Sequence, residues 1–153
     1  MKRMNKYILL LMLVMGGVFT AAVAEPIGVV EFKPVANVAA EEITVAPSTL
    51  VKTPEQYLNK KVIINARFDK FTTVGLDYPP ALRKSEDYIT FMLYRDNTSF
   101  DIPQSELKLF LKRDAAQKFV DLKSKDKVTV TGKVFSTALG DVWVDVEKLE
   151  TIK

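Results

Sequence analysis

"DKVTVTGKVFSTALGDVWVDVEKLE", residues 126–150, decides the fold. Val128, Val130, Gly132 and Val134 fall on one face of an alternating run, and Val142, Val144 and Val146 fall on one face of the next. Alternation with period two is the mark of a strand with one side buried. The intervening "FSTALGD" closes a hairpin, with Gly140 expected at positive φ. Setting Val134 opposite Val142 turns both valine rows inward, and that register predicts Lys133 beside Trp143 and Thr131 beside Asp145 on the outer face.

Working outward, "KVIINARF" at 61–68 echoes "KVTVTGKV" at 127–134, with Ala66 and Gly132 at the matching small position. A small residue in mid-strand leaves room for the tight bend that barrel closure needs. The first strand is read over 60–71, with Val62, Ile64, Ala66 and Phe68 inward. A long loop follows at 72–87, then a strand from Tyr88 with Ile89, Phe91 and Leu93 inward and Tyr88, Thr90, Met92 and Tyr94 outward. A short third strand is read over 100–102, ended by Pro103, which cannot donate to a ladder. The apolar spacing of 104–122 predicts one or two helical segments, with Ser105 and Asp114 as caps. Before the first strand, Thr53, Pro54 and Gln56 form a capping-box pattern for a helical turn that faces Tyr57 and Leu58 inward.

Five strands with a helix between the third and fourth give a mainly β chain: a small five-stranded OB-fold-like barrel over 48–153. "NKKVIINARF", "KSKDKVTVTGKV" and "DVWVDVEKLE" are similar to the motifs of small exported bacterial OB-fold proteins, the type grouped with tRNA-anticodon-binding-like or bacterial OB-fold domains. The resemblance spans about residues 50–153. It departs from the usual pattern at Ala66, where the first strand often has Gly, and in the longer first loop. These motifs build a barrel and imply fold rather than activity.

Ahead of the barrel, Lys2, Arg3 and Lys6 precede an apolar run from Tyr7 and the small-x-small site Ala22-Val23-Ala24. This is the pattern of a signal peptide over 1–24, cleaved after Ala24, which places the protein in the periplasm or outside the cell. The alternative is an uncleaved anchor, the one route to a membrane. Residues 25–47, with three prolines and no clear period, read as an extended linker in which 27–32 has strand character. The leader carries three of the 22 basic residues and no acid, so the remaining chain holds 19 of each sign. Near neutrality argues against a nucleic-acid partner, which needs a dense basic surface.

With no Cys and no His, the chain has no thiolate, no disulfide and no imidazole base or ligand. No cofactor or metal is expected. The outer face of the first three strands is where OB-folds usually bind ligands, and here it offers Arg67, Tyr88, Met92, Tyr94 and Arg95, with Tyr78 and Arg83 in the long loop. Trp143 joins them if it stacks on a ligand; otherwise it covers the barrel wall. Asp141, Asp145 and Glu147 provide the only carboxylate cluster suited to hydrolysis, on a face that solvent normally wets. The function expected is therefore a non-enzymatic binding or interaction module of the bacterial cell envelope, taking an envelope protein, peptide or glycan. Single-stranded nucleic-acid binding is the alternative by fold analogy, and a carboxylate hydrolase ranks last.

Overall fold

The computed structural model describes residues 41–152. The expected leader and the segment 27–32 lie outside them. The strands are β1 (Glu42–Thr44), β2 (Lys61–Thr72), β3 (Tyr88–Leu93), β4 (Leu107–Lys112), β5 (Lys127–Ser136) and β6 (Val142–Thr151); the helices are α1 (Pro47–Lys52) and α2 (Arg113–Ala116). Five strands close on themselves in the order β2-β3-β4-β6-β5 and back to β2. All neighbours are antiparallel except β4 and β6, which run parallel. That connectivity, with a short helix between the third and fourth barrel strands, is the OB-fold.

Closure depends on β2. Its first half, Lys61–Arg67, pairs with β5, and its second half, from Phe68 to Thr72, pairs with β3. A bulge between Phe68 and Lys70 separates the two, adding the local twist that swings one strand from one neighbour to the other. The two echoing segments are thus adjacent antiparallel partners, Val62 facing Gly132 and Ala66 facing Val128. Inside, Val62, Ile64, Phe68, Phe91, Leu93, Val128, Val130, Val134, Val142 and Val144 are all buried, as the alternation predicts.

Four expectations need correction. The third strand is Leu107–Lys112 rather than 100–102, and helix occupies only α2 and a following 3-10 turn, Gln117–Phe119. Leu107, Leu109 and Leu111 point into the barrel, while Phe110 is buried on its outer side. A strand covered on both faces loses its polar alternation and imitates a helix in sequence. The hairpin register differs from that expected, by two residues at Val134, which faces Val144, and at Lys133, which faces Asp145, and by three at Thr131, which faces Lys148. Bulges at Thr131/Gly132 and Val134/Ser136 absorb the difference, so the connection narrows to residues 137–141. Gly140 does take positive φ, at 77°.

The third correction lies at the N-terminal side. Residues 42–44 run parallel to Lys61–Ile63, and Val45 and Leu50 enter the core, so the barrel domain begins within the segment read as linker. Fourth, no capping box forms. Pro47 opens α1, Pro54–Tyr57 is a single 3-10 turn with no side-chain cap at Thr53, and Tyr57 is half-buried.

Gly132 sits at one of these bulges, on the wall where β5 meets β6. A Cβ there would run into the Asp145 carbonyl oxygen and lie 2.8 Å from Val144 Cγ1. Backbone cannot move aside cheaply, so Gly132→Ala should destabilise the domain by about 2 kcal/mol. Thermal unfolding should then begin roughly 10 °C lower. A melting curve matching the parent's would show that the wall is slack at this point.

Candidate functional site

The structure divides the outward residues named from sequence into two groups and leaves one apart. Met92, half-buried on β3, stands alone beside Thr72, Val74, Ser105 and Lys108.

Tyr78, Arg83, Tyr88 and Trp143 come together, but they face each other rather than solvent. Trp143 is only 2% exposed, so it covers the barrel wall, although Lys133 is not its cover. Its indole is stacked on Phe110, with ring centroids 5.6 Å apart, and on Tyr78, also at 5.6 Å. Phe135 meets both Trp143 and Phe110 edge-on. The indole Nε1–H donates to the Ala138 carbonyl at 2.9 Å, so the polar edge of the ring is satisfied. The cover is the long loop. Ala81 is buried against Phe110 and Trp143. Gly75 takes φ of 86°, and its Cα side passes so close to Phe110 that a Cβ would lie 3.3 Å from Phe110 Cζ.

Arg83 holds this loop to the barrel. Its Nε donates to Asp145 Oδ1 at 2.8 Å and its Nη2 to Asp145 Oδ2. The guanidinium carbon lies 4.5 Å from the Phe135 ring centroid and 5.5 Å from that of Tyr88. A bidentate pair flanked by aromatic faces is the strong form of an arginine contact. The hydrogen bond to Asp145 raises the Arg83 pKa despite its partial burial. Neither Asp141 nor Glu147 stands as a free acid: Asp141 pairs with Lys108 at 3.2 Å and Glu147 with Lys61 at 3.0 Å.

Arg67, Tyr94 and Arg95 form the second group, and it is open. They line a groove of about 260 Å³ together with Asn65, Ala66, Asp96, Lys127 and Ile152. Arg67 lies over the Tyr94 ring, its guanidinium carbon 5.1 Å from the centroid, and Tyr94 is only 8% exposed beneath it. The Tyr94 hydroxyl hydrogen-bonds Ser124 Oγ at 2.9 Å. Arg95 is fixed from behind, Nη2 lying 2.7 and 2.9 Å from the two Glu106 oxygens. Asp96 accepts from the Ser48 backbone and hydroxyl, which ties α1 to the groove's edge. Lys127, the ladder partner of Arg67, is exposed and makes no ion pair among the described residues. The floor is apolar and the rim mostly cationic. Such a site accepts a ligand with an apolar or planar portion and an anionic group.

Sequence reasoning missed Lys127, Asn65, Asp96 and Ile152 here, and Phe110, Phe135 and Asp145 in the sealed cluster. The echo between 61–68 and 127–134 held a usable signal: laid antiparallel, the two runs bring Arg67 opposite Lys127. Three large aromatics at outward positions, Phe110, Phe135 and Trp143, were the corresponding signal for a covered face.

No protein-family model matches the chain, and no curated protein does. Similar solved structures include a candidate aspartyl-tRNA synthetase from Leishmania major Friedlin, at 15% identity over 78% of this chain and 22% of that one, TM-score 0.42. A second is asparaginyl-tRNA synthetase from Pyrococcus horikoshii complexed with asparaginyl-adenylate, at 22% identity over 64% of this chain and 20% of that one, TM-score 0.42. A third is the OBody AM3L15 bound to hen egg-white lysozyme, at 11% identity over 64% and 80% of the two chains, TM-score 0.43. The chain spans about a fifth of each synthetase's length. No ligand or activity carries over at such identities.

The groove's shape depends on Asp101. Its Oδ1 lies 2.7 Å from Arg67 Nη1 and its Oδ2 lies 2.8 Å from Lys125 Nζ, fastening the 95–103 loop beside the site. Hydrogen bonds from Lys125 and Arg67 hold the Asp101 carboxyl below its ordinary value of 3.8. A carboxyl depressed in the folded state contributes stability above its unfolded pKa and loses it as the pH falls through the folded one. The clasp should therefore hold from neutrality to about pH 4 and fail below it. Melting temperature followed from pH 7 to about pH 2 should fall less steeply over the acid limb for Asp101→Asn than for the parent. Parallel acid limbs would mean that Asp101 fastens nothing.

Proposed function

We propose that this protein is a non-enzymatic binding module of the bacterial cell envelope, and that its ligand is an acidic peptide segment of another envelope protein. The observation that carries the reading is the open groove, with Arg67 laid flat on Tyr94 and the unpaired Lys127 opposite it. Arg67 and Arg95 are each held by a carboxylate, so their guanidinium planes are set before a ligand arrives. Such preorganisation lowers the entropy lost on binding. Lys127 is the cation left to meet an incoming carboxylate, and Ile152 and the Tyr94 edge meet an apolar side chain.

Support for the envelope comes from the N-terminal pattern of Lys2, Arg3 and Lys6, an apolar run and Ala22-Val23-Ala24. Support for a protein ligand over single-stranded nucleic acid comes from the sealed cluster. OB-folds hold bases by stacking them on exposed aromatics of the outer wall. In this chain Tyr78 and Arg83 already occupy Trp143, Tyr88 and Phe135.

Amide chemical shifts followed while adding an acidic peptide, an acidic oligosaccharide or a single-stranded oligonucleotide test the reading. With the peptide, shifts should centre on Arg67, Tyr94, Lys127 and Ile152, and Lys127→Ala should weaken binding about tenfold without changing the melting temperature. Shifts confined to the opposite barrel wall, or stronger and steeply salt-dependent binding of the oligonucleotide, would overturn it. The envelope assignment rests on a separate measurement: protein purified from the cell envelope should begin at Glu25.

A further inference from the structure

The loop over the aromatic wall has an unusual attachment. The backbone hydrogen bonds of residues 74–84 stay within 72–88: Leu76 donates to Thr73, Asp77 to Arg83, Ala81 to Tyr78 and Leu82 to Pro79, while the Lys84 carbonyl accepts from Asp87 and Tyr88. Val74 N–H is taken by Thr72 Oγ1 and Ser85 N–H by Asp77 Oδ1. The Arg83 guanidinium also returns to the carbonyls of Ala81 and Leu82. The segment is therefore a compact loop whose backbone hydrogen bonds are its own. It reaches the barrel only through side chains and the close pass of Gly75. Lifting it away breaks the Arg83–Asp145 pair and the Tyr78–Trp143 stack but no backbone hydrogen bond between residues 74–84 and the barrel.

The loop also holds left-handed backbone. Asp77 takes φ of 59°, where its carboxylate accepts from the Ser85 N–H, and Leu82 takes φ of 51°, a region that an aliphatic side chain disfavours. Leu82 is 81% exposed there. Leu139, on the loop that follows β5, has φ of 62° and is 77% exposed. Each of these leucines directly follows an alanine, Ala81 or Ala138, that packs on the aromatic cluster. The two loops that flank the sealed wall thus both hold an apolar side chain outward in a costly conformation. Backbone strain concentrates at binding and switching segments.

Beneath the loop lies a receptor of defined chemistry. Asp145 presents both oxygens, Phe135 and Tyr88 provide two faces for a planar cation, and the Phe110–Trp143 stack provides a platform for an aromatic ring. We propose that residues 73–84 act as an internal ligand, and that the wall beneath is a second binding site, distinct from the open groove. Its ligand is a peptide segment presenting an arginine with a tyrosine five residues before it, as Arg83 and Tyr78 do. Such a segment enters by displacing the loop as a unit, its guanidinium taking Asp145 and its ring taking Trp143. Leu82 then moves with the released loop, and Leu139 remains at the rim to touch the incoming chain.

Trp143 is the chain's only tryptophan, so its emission reports on this wall alone. In the full chain, Arg83→Ala should shift the emission to the red and open it to acrylamide. A synthetic peptide of residues 73–87 should reverse both changes, and bind this variant about tenfold or more tighter than it binds the parent, whose own loop competes. A peptide with alanine in place of the arginine, or a protein that also carries Asp145→Asn, should not respond. A folded Arg83→Ala protein whose Trp143 stays shielded and ignores the peptide at about 1 mM overturns the proposal. If Arg83→Ala does not fold, the parent decides: the peptide at several millimolar should move the amides of Gly75, Ala81 and Arg83, and their immobility overturns it. Sedimentation as a dimer with Trp143 shielded, on substituting Arg83→Lys, would also overturn it, since the loop then exchanges between copies instead of yielding to a peptide.

Discussion

Everything in this domain follows from one strand being shared. β2 has to satisfy β5 along its first half and β3 along its second, and only then does the sheet close and acquire an inside. Two local devices permit it. The bulge at Phe68/Lys70 turns β2 between its partners, and Gly132 lets the β6 backbone approach β5 more closely than any side chain would. An open sheet of the same strands would expose a row of unpaired groups at each edge, an invitation to aggregate. Closure removes both edges and fills the interior with valines, leucines and the rings of Phe68 and Phe91. Barrel interiors of this size have room for side chains and little else, which leaves only the wall and the rims open to a ligand.

The wall is not uniform. Around Trp143 the barrel is buried on both faces, valines inside and aromatics outside, so β4 and β6 are core strands over part of their length although they belong to a single-layer barrel. On the other side, around Arg67 and Tyr94, the wall carries no cover. The contrast traces to loop length. A connection of a few residues would only join β2 to β3, whereas 73–87 is long enough to form its own turns and lie across a neighbouring face. Loops of such length with fixed internal structure tend to have roles beyond joining elements.

How much of this could be read from the chain follows the same division. Where the alternation survived, Val62–Ile64, Phe91–Leu93 and Val128–Val134 were legible as inward rows, and so was Val142–Val146, because the valines alternate there with Trp143 and Asp145 although the indole is itself covered. β4 was not, because Phe110 must be apolar to meet the loop, and "LKLFL" then satisfies helical spacing as well as strand spacing. The hairpin's pairing slipped by two and then three residues for a related reason: two bulges leave no mark in composition. Of the groove residues, Arg67, Tyr94 and Arg95 were found because they lie on or just past the ends of one outward strand face. Arg83 and Tyr78 were recognised as residues of interest, but their partners were not, since nothing in the spacing ties position 83 to position 145. Contacts made by loops are set by three-dimensional fit and have no period.

Charge separates the two surfaces in the same way as cover does. In the groove each arginine is held at its flank by a carboxylate and leaves a face exposed, so the cations are steady without being spent. At the sealed wall the roles are reversed. Asp145 is the acceptor and the arginine comes from a loop whose backbone hydrogen bonds are its own. One barrel therefore presents cations on one side and, under its cover, an anion framed by aromatic rings on another. Ligands complementary to the first would be rejected by the second, because an acidic group brought to Asp145 would meet like charge with no cation once Arg83 has left. The two surfaces are therefore opposite in the charge they present, and β2, shared between the halves of the barrel, ties the walls that carry them into one frame.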